Sequence, residues 1–362
     1  MKIVDSFDRL AGAVIVGGFD GLAAPEVLRE RLAQGLIAGV TLFKRNVADP
    51  LQVAQLVASL VDAARPSGTA PLVSIDQEGG RVARLRASIV QLPAMRVLGE
   101  RDDPALTRGV LAALARGLVA LGCTTDFAPV ADVDSNPDNP IIGDRAFSRD
   151  PARVAAHVVA AIEGLQGAGV AACAKHFPGH GDTAQDSHLD LPVLRHGRAR
   201  IDAIELVPFR AAISARVASI MTAHVVFEGI DAHLPATLSK DIVGTLLREE
   251  LGFEGVCFSD DLHMKAVADR YSIEECSVRS IEAGCDALLI CTDLESQDRA
   301  QRALAARARI NSDFAARLHE AGERLRLMRT RYAPQPVLDG ATLLGTLQSR
   351  EDHAFVDALI AS

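Results

Sequence analysis

One unit recurs along this chain and constrains its fold more than any other feature. Each repeat has a short run of β-branched and other apolar residues, then a polar loop, then an amphipathic helix. The apolar run occurs eight times, at residues 12–18, 39–43, 71–75, 123–130, 170–176, 218–224, 255–260 and 286–291. Because the runs are apolar throughout, they predict strands buried on both faces, as in a parallel sheet that helices cover.

Eight strand–helix repeats predict an α/β fold, most simply a closed (β/α)8 TIM barrel. Helix starts agree with this spacing, because Asp49, Asp103 and Asp150 each precede a proline, as an N-cap precedes a first-turn proline. The alternative is an open doubly wound sheet, but no glycine-rich dinucleotide fingerprint follows the first strand. We expect residues 1–330 to form the barrel and residues 331–362 to form a helical tail packed on it, with no separate second domain.

The charge balance argues against several classes of partner. The net charge is −9, whereas general nucleic-acid binding needs a basic face. No apolar run is long enough to predict a membrane span, and aspartates precede the short apolar run near the start, where a signal peptide has basic residues. The six cysteines form no C-x-x-C pair and predict buried thiols in a reducing compartment. We expect a cytoplasmic monomer with no nucleic-acid or membrane partner.

Charged residues collect at one end of the predicted barrel. In such folds the functional groups lie at the carboxyl ends of the strands and in the loops that follow. Those positions hold Lys44, Arg45, Asp76, Asp132, Asp134, Arg145, Lys175, His176, His224, Asp260 and Asp261. Taken singly, each could be an N-cap aspartate, an ion-paired arginine or a hydrogen-bonded core histidine. Their convergence on one rim predicts a functional site there.

The densest group of ionisable residues is the loop CAKHFPGHGDTAQDSHLDLP, residues 173–192, with one lysine, three histidines and three aspartates. One interpretation is a metal site, because His176, His180 and His188 could ligate Zn²⁺. An H-x-H pair after the first strand and an H-E-x-x-H helix, which zinc hydrolases use, are both absent. We therefore expect no metal. A polar loop without chemistry is a second interpretation, but it leaves the density of ionisable groups unexplained.

Acid–base chemistry is the third interpretation of this loop. Asp186 lies two residues before His188, and a carboxylate beside an imidazole raises the pKa of that imidazole toward neutrality. Such a histidine can protonate a leaving group and then deprotonate water. The segment FSDDLHM, residues 258–264, offers a carboxylate partner, and a carboxylate with a general acid across one bond is the arrangement for glycoside hydrolysis. Spacing alone leaves open whether Asp260 or Asp261 attacks.

Six ordered stretches carry a family resemblance: GVTLFKRNVADP (39–50), IDQEGGRVARL (75–85), DFAPVADVDSNPDNPIIGDRAFSRDP (126–151), KHFPGHGDTAQDSHLDLP (175–192), MTAHV (221–225) and GFEGVCFSDDLHM (252–264). With them the chain resembles glycoside hydrolase family 3, in particular its single-domain bacterial β-N-acetylglucosaminidases (β-N-acetylhexosaminidases) of the peptidoglycan-recycling type. The resemblance runs from about Val14 to Asp286. The long loop that ends in D-S-H marks the N-acetylglucosaminidase branch.

The resemblance implies a role for each matching residue. Asp260 would be the nucleophile, His188 the general acid/base, and Asp186 the residue that orients His188. The sugar would be held by Asp76, Arg84, Arg145, Lys175 and His176. Gly179 and Gly181 would let the loop swing His188 over the bound sugar.

The resemblance also implies hydrolysis with retention through a covalent glycosyl–Asp260 intermediate, without metal or other cofactor. The implied substrate is a small sugar or muropeptide, GlcNAc-1,6-anhydroMurNAc, which loses its non-reducing terminal β-linked GlcNAc in cell-wall recycling. Some relatives use phosphate in place of water, so phosphorolytic transfer at the same site is an alternative. Residues 10–26 resemble longer relatives more than the shortest recycling enzymes, which leaves the physiological aglycone open.

Two functions of other classes compete with this one. A metal-dependent TIM-barrel hydrolase would use the loop histidines and would lose activity to a chelator. A non-catalytic sugar-binding barrel would bind without turnover. The chain has no Trp and two Tyr, so it lacks the aromatic platforms on which binding modules stack sugars.

Overall fold

A computed structural model of the chain describes residues 5–86, 89–183, 191–336 and 338–361. Its centre is an eight-stranded parallel sheet in which the strands follow chain order. The strands are β1 Ile15–Gly17, β2 Gly39–Leu42, β3 Leu72–Ile75, β4 Thr125–Asp126, β5 Ala171–Phe177, β6 Ser219–Thr222, β7 Val256–Phe258 and β8 Leu288–Ile290. All eight predicted strands are confirmed; seven are shorter than their apolar runs, and β5 has the length of its run but is shifted by one residue.

The sheet closes into a barrel. β1 pairs with both β2 and β8, which brings the first and last strands together. Between β7 and β8 the parallel bridge of Phe258 with Ala287 completes the circle, and Ser259 N donates to Ala287 O at 2.9 Å. The TIM-barrel prediction is therefore confirmed, and the alternative of an open doubly wound sheet is wrong.

Helices surround the strands. Their bounds are α1 Ser6–Gly12, α2 Glu26–Gln34, α3 Pro50–Ala64, α4 Met95–Arg101, α5 Pro104–Ala120, α6 Pro151–Gly167, α7 Arg198–Ala203, α8 Leu206–Ser214, α9 Lys265–Ala268, α10 Ile273–Ala283, α11 Leu294–Ile310, α12 Ser312–Arg331, α13 Gly340–Leu347 and α14 Arg350–Ala361. A π-helix spans Asp241–Glu250, and short 3₁₀ turns span Lys44–Asn46, Arg65–Ser67, Gly143–Arg145 and Ala236–Leu238. The predicted caps are present, since Asp49, Asp103 and Asp150 each accept a hydrogen bond from a first-turn amide.

Two apolar layers follow from the alternation of side chains along the strands. Inside the barrel, Val16, Phe127, Cys173, Met221 and Phe258 pack together, with the Phe127 and Phe258 rings edge to face at 5.4 Å. The opposite strand faces pack against the helices in a larger core. All six cysteines are buried free thiols, as the sequence predicts. The filled interior leaves the carboxyl ends of the strands as the place where polar groups can gather.

A small second sheet was not predicted. Val193–Leu194 pairs in parallel with Val226–Phe227, which pairs antiparallel with Asp231–Pro235. Two of these strands have only two residues, too few to give a periodic signal in the sequence. Two of its three strands follow β6 in the chain. The third, Val193–Leu194, fixes the chain directly after the loop at residues 173–192.

The C-terminal helices lie against the barrel helices. α13 and α14 bury Leu343, Leu347, Val356 and Leu359 in the same core as α5. The division of the chain at residue 330 stays a prediction, and α12 itself runs on to Arg331. Among the described residues, no helix combines the length and apolar character that crossing a bilayer requires.

Candidate active site

A cavity of about 340 Å³ opens at the carboxyl ends of the barrel strands. Six of the predicted site residues line it together, although they come from four different strand–loop units: Asp76, Arg84, Arg145, Lys175, His176 and Asp260. The other two, Asp186 and His188, lie outside the described residues. The predicted rim therefore contains a real pocket, and the parallel strands explain why residues so far apart in sequence meet there.

Asp76 lies on the barrel-facing side of β3 and holds two cations. Its Oδ1 accepts a hydrogen bond from Lys175 Nζ at 2.8 Å, and its Oδ2 accepts one from Arg84 Nη2 at 3.1 Å. Burial raises the pKa of Asp76, but Lys175 and Arg84 outweigh burial, so the net pKa lies below its ordinary value. The carboxylate is therefore ionised and fixed in place before any sugar arrives.

Glu78 is a site residue that the sequence analysis missed. Its carboxylate makes a two-pronged ion pair with Arg145, with Nε–Oε2 and Nη2–Oε1 both at 2.8 Å, and Lys175 Nζ lies 2.6 Å from Oε1. Burial acts to raise the pKa of Glu78, but Arg145 and Lys175 hold it well below the ordinary range. The signal was available, because Asp76 and Glu78 are two residues apart and an extended segment points both to one side.

Lys175 and His176 are consecutive, yet both line the cavity. In a regular strand, neighbouring side chains point to opposite faces. Here the register of β5 against β6 shifts between Lys175 and Phe177, a bulge that re-aims a side chain at the rim of the barrel. The peptide bond between Lys175 and His176 is cis.

Asp132 organises the two histidines of the cavity wall. His176 Nδ1 lies 2.8 Å from Asp132 Oδ2, and the His180 backbone N–H donates to Asp132 Oδ1 at 2.6 Å. Burial, reinforced by neighbouring His176, lowers the pKa of His180 to about 4. Among the described residues, no group of three or more His, Cys, Asp and Glu side chains is arranged to hold a metal ion.

Asp260 and Asp261 differ in what holds them. Val256 and Phe258 face the barrel interior, and Asp260 continues that side of β7 into the cavity. Asp261 also lines the cavity, but its Oδ1 accepts hydrogen bonds from the backbone amides of His263 at 3.2 Å and Cys291 at 3.1 Å. The Asp261 amide donates to Asp260 Oδ1 at 2.8 Å. Asp261 therefore secures the turn after β7, whereas Asp260 faces the cavity.

Asp126 is a buried carboxyl beside the site that the sequence analysis did not single out. Its Oδ1 accepts a hydrogen bond from Gln77 N at 2.9 Å, while Oδ2 has no hydrogen-bond partner among the described residues. Burial raises the pKa of Asp126 to about 7. Because Gln77 lies between Asp76 and Glu78, Asp126 anchors the segment that carries both cavity carboxylates.

Other rim residues have structural partners. Arg45 donates to the carbonyl oxygens of Phe19 and Cys291, and Asp134 pairs with Arg96. His224 is buried, with Nδ1 at 2.8 Å from Thr237 Oγ1 and Nε2 at 3.0 Å from Asp261 O, which confirms its interpretation as a core histidine.

Hydrogen bonds hold His180 and Gly181, in the first half of the loop at residues 173–192. Asn139 Nδ2 donates to the carbonyl oxygens of His180 at 2.8 Å and Gly181 at 3.0 Å. A Cβ at position 181 would lie 1.6 Å from Val133 O, so only glycine fits there. Gly181 is therefore a close-packing position rather than the free hinge that the sequence analysis expected.

The cavity has the carboxylate of Asp260 beside a cluster of ionised groups at the carboxyl ends of the strands, which is where TIM-barrel enzymes have their active sites. The family model for the glycosyl hydrolase family 3 N-terminal domain matches residues 12–324. The chain belongs to glycosyl hydrolase family 3 and is a glycoside hydrolase, which confirms the resemblance of its six sequence stretches.

Named relatives agree with this assignment. The curated β-hexosaminidase of Nitrosomonas eutropha is 40% identical over 284 residues, which cover 77% of this chain and 80% of that protein. The structure of a family 3 β-N-acetylglucosaminidase of Paenibacillus sp. is similar with a TM-score of 0.91 at 37% identity, over 99% of this chain and 68% of that one. NagZ of Neisseria gonorrhoeae, solved with N-trifluoroacetyl-D-glucosamine, is similar with a TM-score of 0.80 at 32% identity, over 96% of this chain and 98% of that one.

Proposed function

We propose that this chain is a retaining exo-β-N-acetylglucosaminidase that releases non-reducing terminal β-linked GlcNAc. The names of its relatives support the β-N-acetylhexosaminidase activity, and the N-acylglucosamine analogue in the Neisseria gonorrhoeae relative supports the choice of sugar. The single observation that carries the proposal is that Asp260 lines the same cavity as Asp76, Arg84 and Lys175. A carboxylate able to attack an anomeric carbon thus lies beside groups able to grip the hydroxyls of one sugar.

The hydroxyl-binding role falls to Asp76, Arg84, Lys175 and His176. Charged donors and acceptors make shorter and stronger hydrogen bonds to hydroxyl groups than neutral ones do. The ion pairs of Asp76 with Lys175 and Arg84 fix these groups in advance, so little reorganisation is needed when the sugar binds. Arg145 also lines the cavity and belongs to the same proposed sugar-binding set, with its guanidinium held by Glu78, which also pairs with Lys175.

Asp260 is the proposed nucleophile. Its carboxylate attacks the anomeric carbon as the glycosidic bond breaks, which forms a glycosyl ester, and water then cleaves that ester with overall retention. The hydrogen bond from the Asp261 amide at 2.8 Å orients the Asp260 carboxylate. Asp261 is the weaker candidate because two backbone amides already occupy one of its oxygens.

His188 is the proposed acid/base and Asp186 its orienting partner. The support is positional, since His180 lines the cavity and the small sheet holds the chain at Val193. Leu191, the first described residue after this part of the loop, packs in one cluster with Val226 and Ala266, and Ala266 lies two residues after the cavity-lining Met264. His188 would protonate the leaving oxygen in the first step and deprotonate the attacking water in the second.

The proposed physiological substrate is GlcNAc-1,6-anhydroMurNAc, with or without its peptide, cleaved by a monomeric cytoplasmic enzyme in cell-wall recycling. Water is the proposed acceptor. In the cavity, Lys175, Arg84 and Arg145 all have carboxylate partners, so no lysine or arginine of the described lining is left unpaired for a phosphate dianion. Phosphorolysis is therefore the weaker alternative.

The assignment of the nucleophile can be tested with a fluorinated GlcNAc analogue that forms a slowly hydrolysed ester with the attacking carboxylate. Mass spectrometry then locates the modified residue. We expect one covalent GlcNAc adduct on the peptide that contains Asp260, and an adduct on any other residue would overturn the assignment.

Product analysis of GlcNAc–anhydroMurNAc with and without phosphate tests the substrate and the acceptor. We expect free GlcNAc in both samples, and GlcNAc 1-phosphate would instead establish phosphorolysis.

A further inference from the structure

A second cavity, of about 310 Å³, lies at the opposite mouth of the barrel. Its walls come from the chain just before β2 and β3, including Gly35, Ile37 and Thr69, and from the face of α12 that crosses this end. The amino ends of barrel strands usually serve stability rather than chemistry. The composition of this cavity departs from that expectation.

Arg329 of α12 lines this cavity with a buried charge that has no counter-ion in the part of the chain that the structure describes. The residue is 9% exposed, and its Nε donates to the carbonyl oxygen of Ala70 at 2.9 Å. Among the described residues no carboxylate lies within ion-pair distance of it, and burial alone lowers the pKa of Arg329 to about 10. A buried guanidinium without an anion is costly, and such groups are normally paired.

The neighbours of Arg329 add to the positive charge. Arg9 and His319 line the same cavity, and the acidic residues near Arg9 in the chain, Asp5 and Asp8, pair instead with Arg309. Arg326 is also present but is neutralised by Glu323, with Nε–Oε2 at 2.7 Å and Nη2–Oε1 at 2.6 Å. Three arginines against one glutamate leave a surplus of two positive charges in the lining.

We propose that this cavity is a binding site for a phosphate dianion, either free or as the phosphate of a small monoester, with Arg329 as its central ligand and Arg9 and His319 at its rim. The planar donor fork of arginine fits the oxygens of phosphate, and the surplus charge equals that of the dianion. The cavity is larger than a bare phosphate needs, which leaves room for an organic group along the apolar side formed by Leu10 and Ile37. This site is independent of the catalytic cavity and of the proposed function.

Thermal unfolding of the full chain in inorganic phosphate, at constant ionic strength, tests the site. A ligand that binds only the folded state stabilises it in a saturable way, and at 100 times its dissociation constant we expect a rise in Tm of about 4 °C. Phosphate also stabilises proteins without binding, by exclusion from their surface. Arg329→Met controls for that effect, because exclusion acts equally on the variant.

The expected result is a saturable rise in the wild type that Arg329→Met abolishes and that Arg9→Gln, an exposed change, shifts to several-fold higher phosphate. Arg84→Ala, in the catalytic cavity, should keep the full rise. No saturable rise in the wild type, an undiminished rise in Arg329→Met, or loss of the rise in Arg84→Ala would each overturn the proposal. A parallel titration with glycerol phosphate distinguishes the sources, because a tighter response than to inorganic phosphate identifies a monoester site and an equal one a free-phosphate site.

Discussion

The buried cations at the two mouths of the barrel have different kinds of partner. At the carboxyl mouth, Lys175 is buried between Asp76 and Glu78 at 2.8 and 2.6 Å. At the amino mouth, Arg329 is also buried but donates only to carbonyl oxygens of the described chain. At the first mouth the described cations Lys175, Arg84 and Arg145 all have carboxylate partners, whereas Arg329 at the second mouth has none among the described residues.

The difference teaches how the two sites would recognise their ligands. A cluster in which each described cation already has a carboxylate partner suits a neutral, polyhydroxylated ligand, because the ligand inserts hydroxyl groups into existing hydrogen bonds. A cavity with unbalanced charge suits a ligand that brings the missing charge. The substitutions below each replace one side chain, and their effects on activity or stability distinguish the two mouths of the barrel.

The largest effect is expected for Asp260→Ala. We expect kcat/KM for a chromogenic β-GlcNAc substrate to fall at least about 1000-fold, because the variant has no group to form the glycosyl ester. The matched control is Asp261→Asn, which keeps the oxygen that accepts from His263 and Cys291 and should lose less than about 10-fold. The reverse ranking would make Asp261 the nucleophile.

Lys175→Met should cost the most stability. The substitution leaves Asp76 and Glu78 buried without the cation between them, and breaking a buried pair on one side typically costs about 3–5 kcal/mol. Urea unfolding at neutral pH measures the free energy of unfolding. Lys44→Met is the control, since Lys44 is exposed and the same change there should cost less than about 0.5 kcal/mol. A small loss at Lys175 would mean that Arg84 and Arg145 suffice to balance the carboxylates.

The carboxyl mouth could be predicted from the sequence, because strand order alone decides which loops meet there. Asp76 and Lys175 are 99 positions apart and form a direct ion pair, yet Asp76 follows one apolar run and Lys175 lies at the end of another, and that was enough to place both on one rim. The spacing of Glu78 two residues after Asp76 predicts that it shares the same side. Its ion pairs with Arg145 and Lys175 join distant parts of the chain, and no local pattern predicts them.

The amino mouth could not be predicted in the same way. Arg329 lies in an amphipathic helix in which three other arginines, Arg317, Arg324 and Arg326, each pair with a glutamate of the same helix. Only the packing of α12 across the ends of the strands makes Arg329 buried and unmatched. The two-residue strands of the small sheet were invisible for a related reason, since their pairing depends on distant partners rather than on local pattern.

Asp126→Asn should change how stability depends on pH. The pKa of Asp126 is raised to about 7 from 3.8, so the folded state holds a proton that the unfolded state releases, and this carboxyl destabilises the protein progressively as pH rises from about 4 to about 7. Asparagine keeps an oxygen for the Gln77 amide and has no charge to bury. The gain in unfolding free energy over the wild type should therefore grow with pH, to at most about 4 kcal/mol above pH 7.

Chemical denaturation across this range measures the Asp126 effect as a difference between the two proteins, which removes the contributions of other groups. His180 is one of these groups, since its pKa is lowered to about 4. Its contribution to the free energy of unfolding therefore falls as pH drops from about 6.5 toward 4. A constant difference between Asp126→Asn and the wild type at all pH values would show that Asp126 titrates normally.

Arg329→Met in phosphate-free buffer should have the smallest effect and gives the sharpest contrast with Lys175→Met. Both variants replace a buried cation by methionine, but only Lys175 leaves carboxylates behind. Removal of the Arg329 charge removes the free-energy cost of burying it, which stabilises the folded state. Loss of the hydrogen bond to Ala70 O costs about 1–3 kcal/mol, so the two effects on the free energy of unfolding oppose each other. We expect a change in unfolding free energy within about 1 kcal/mol, and chromogenic activity equal to the wild type. A loss as large as that of Lys175→Met would mean that the protein itself neutralises Arg329, and the amino mouth would then need no anion.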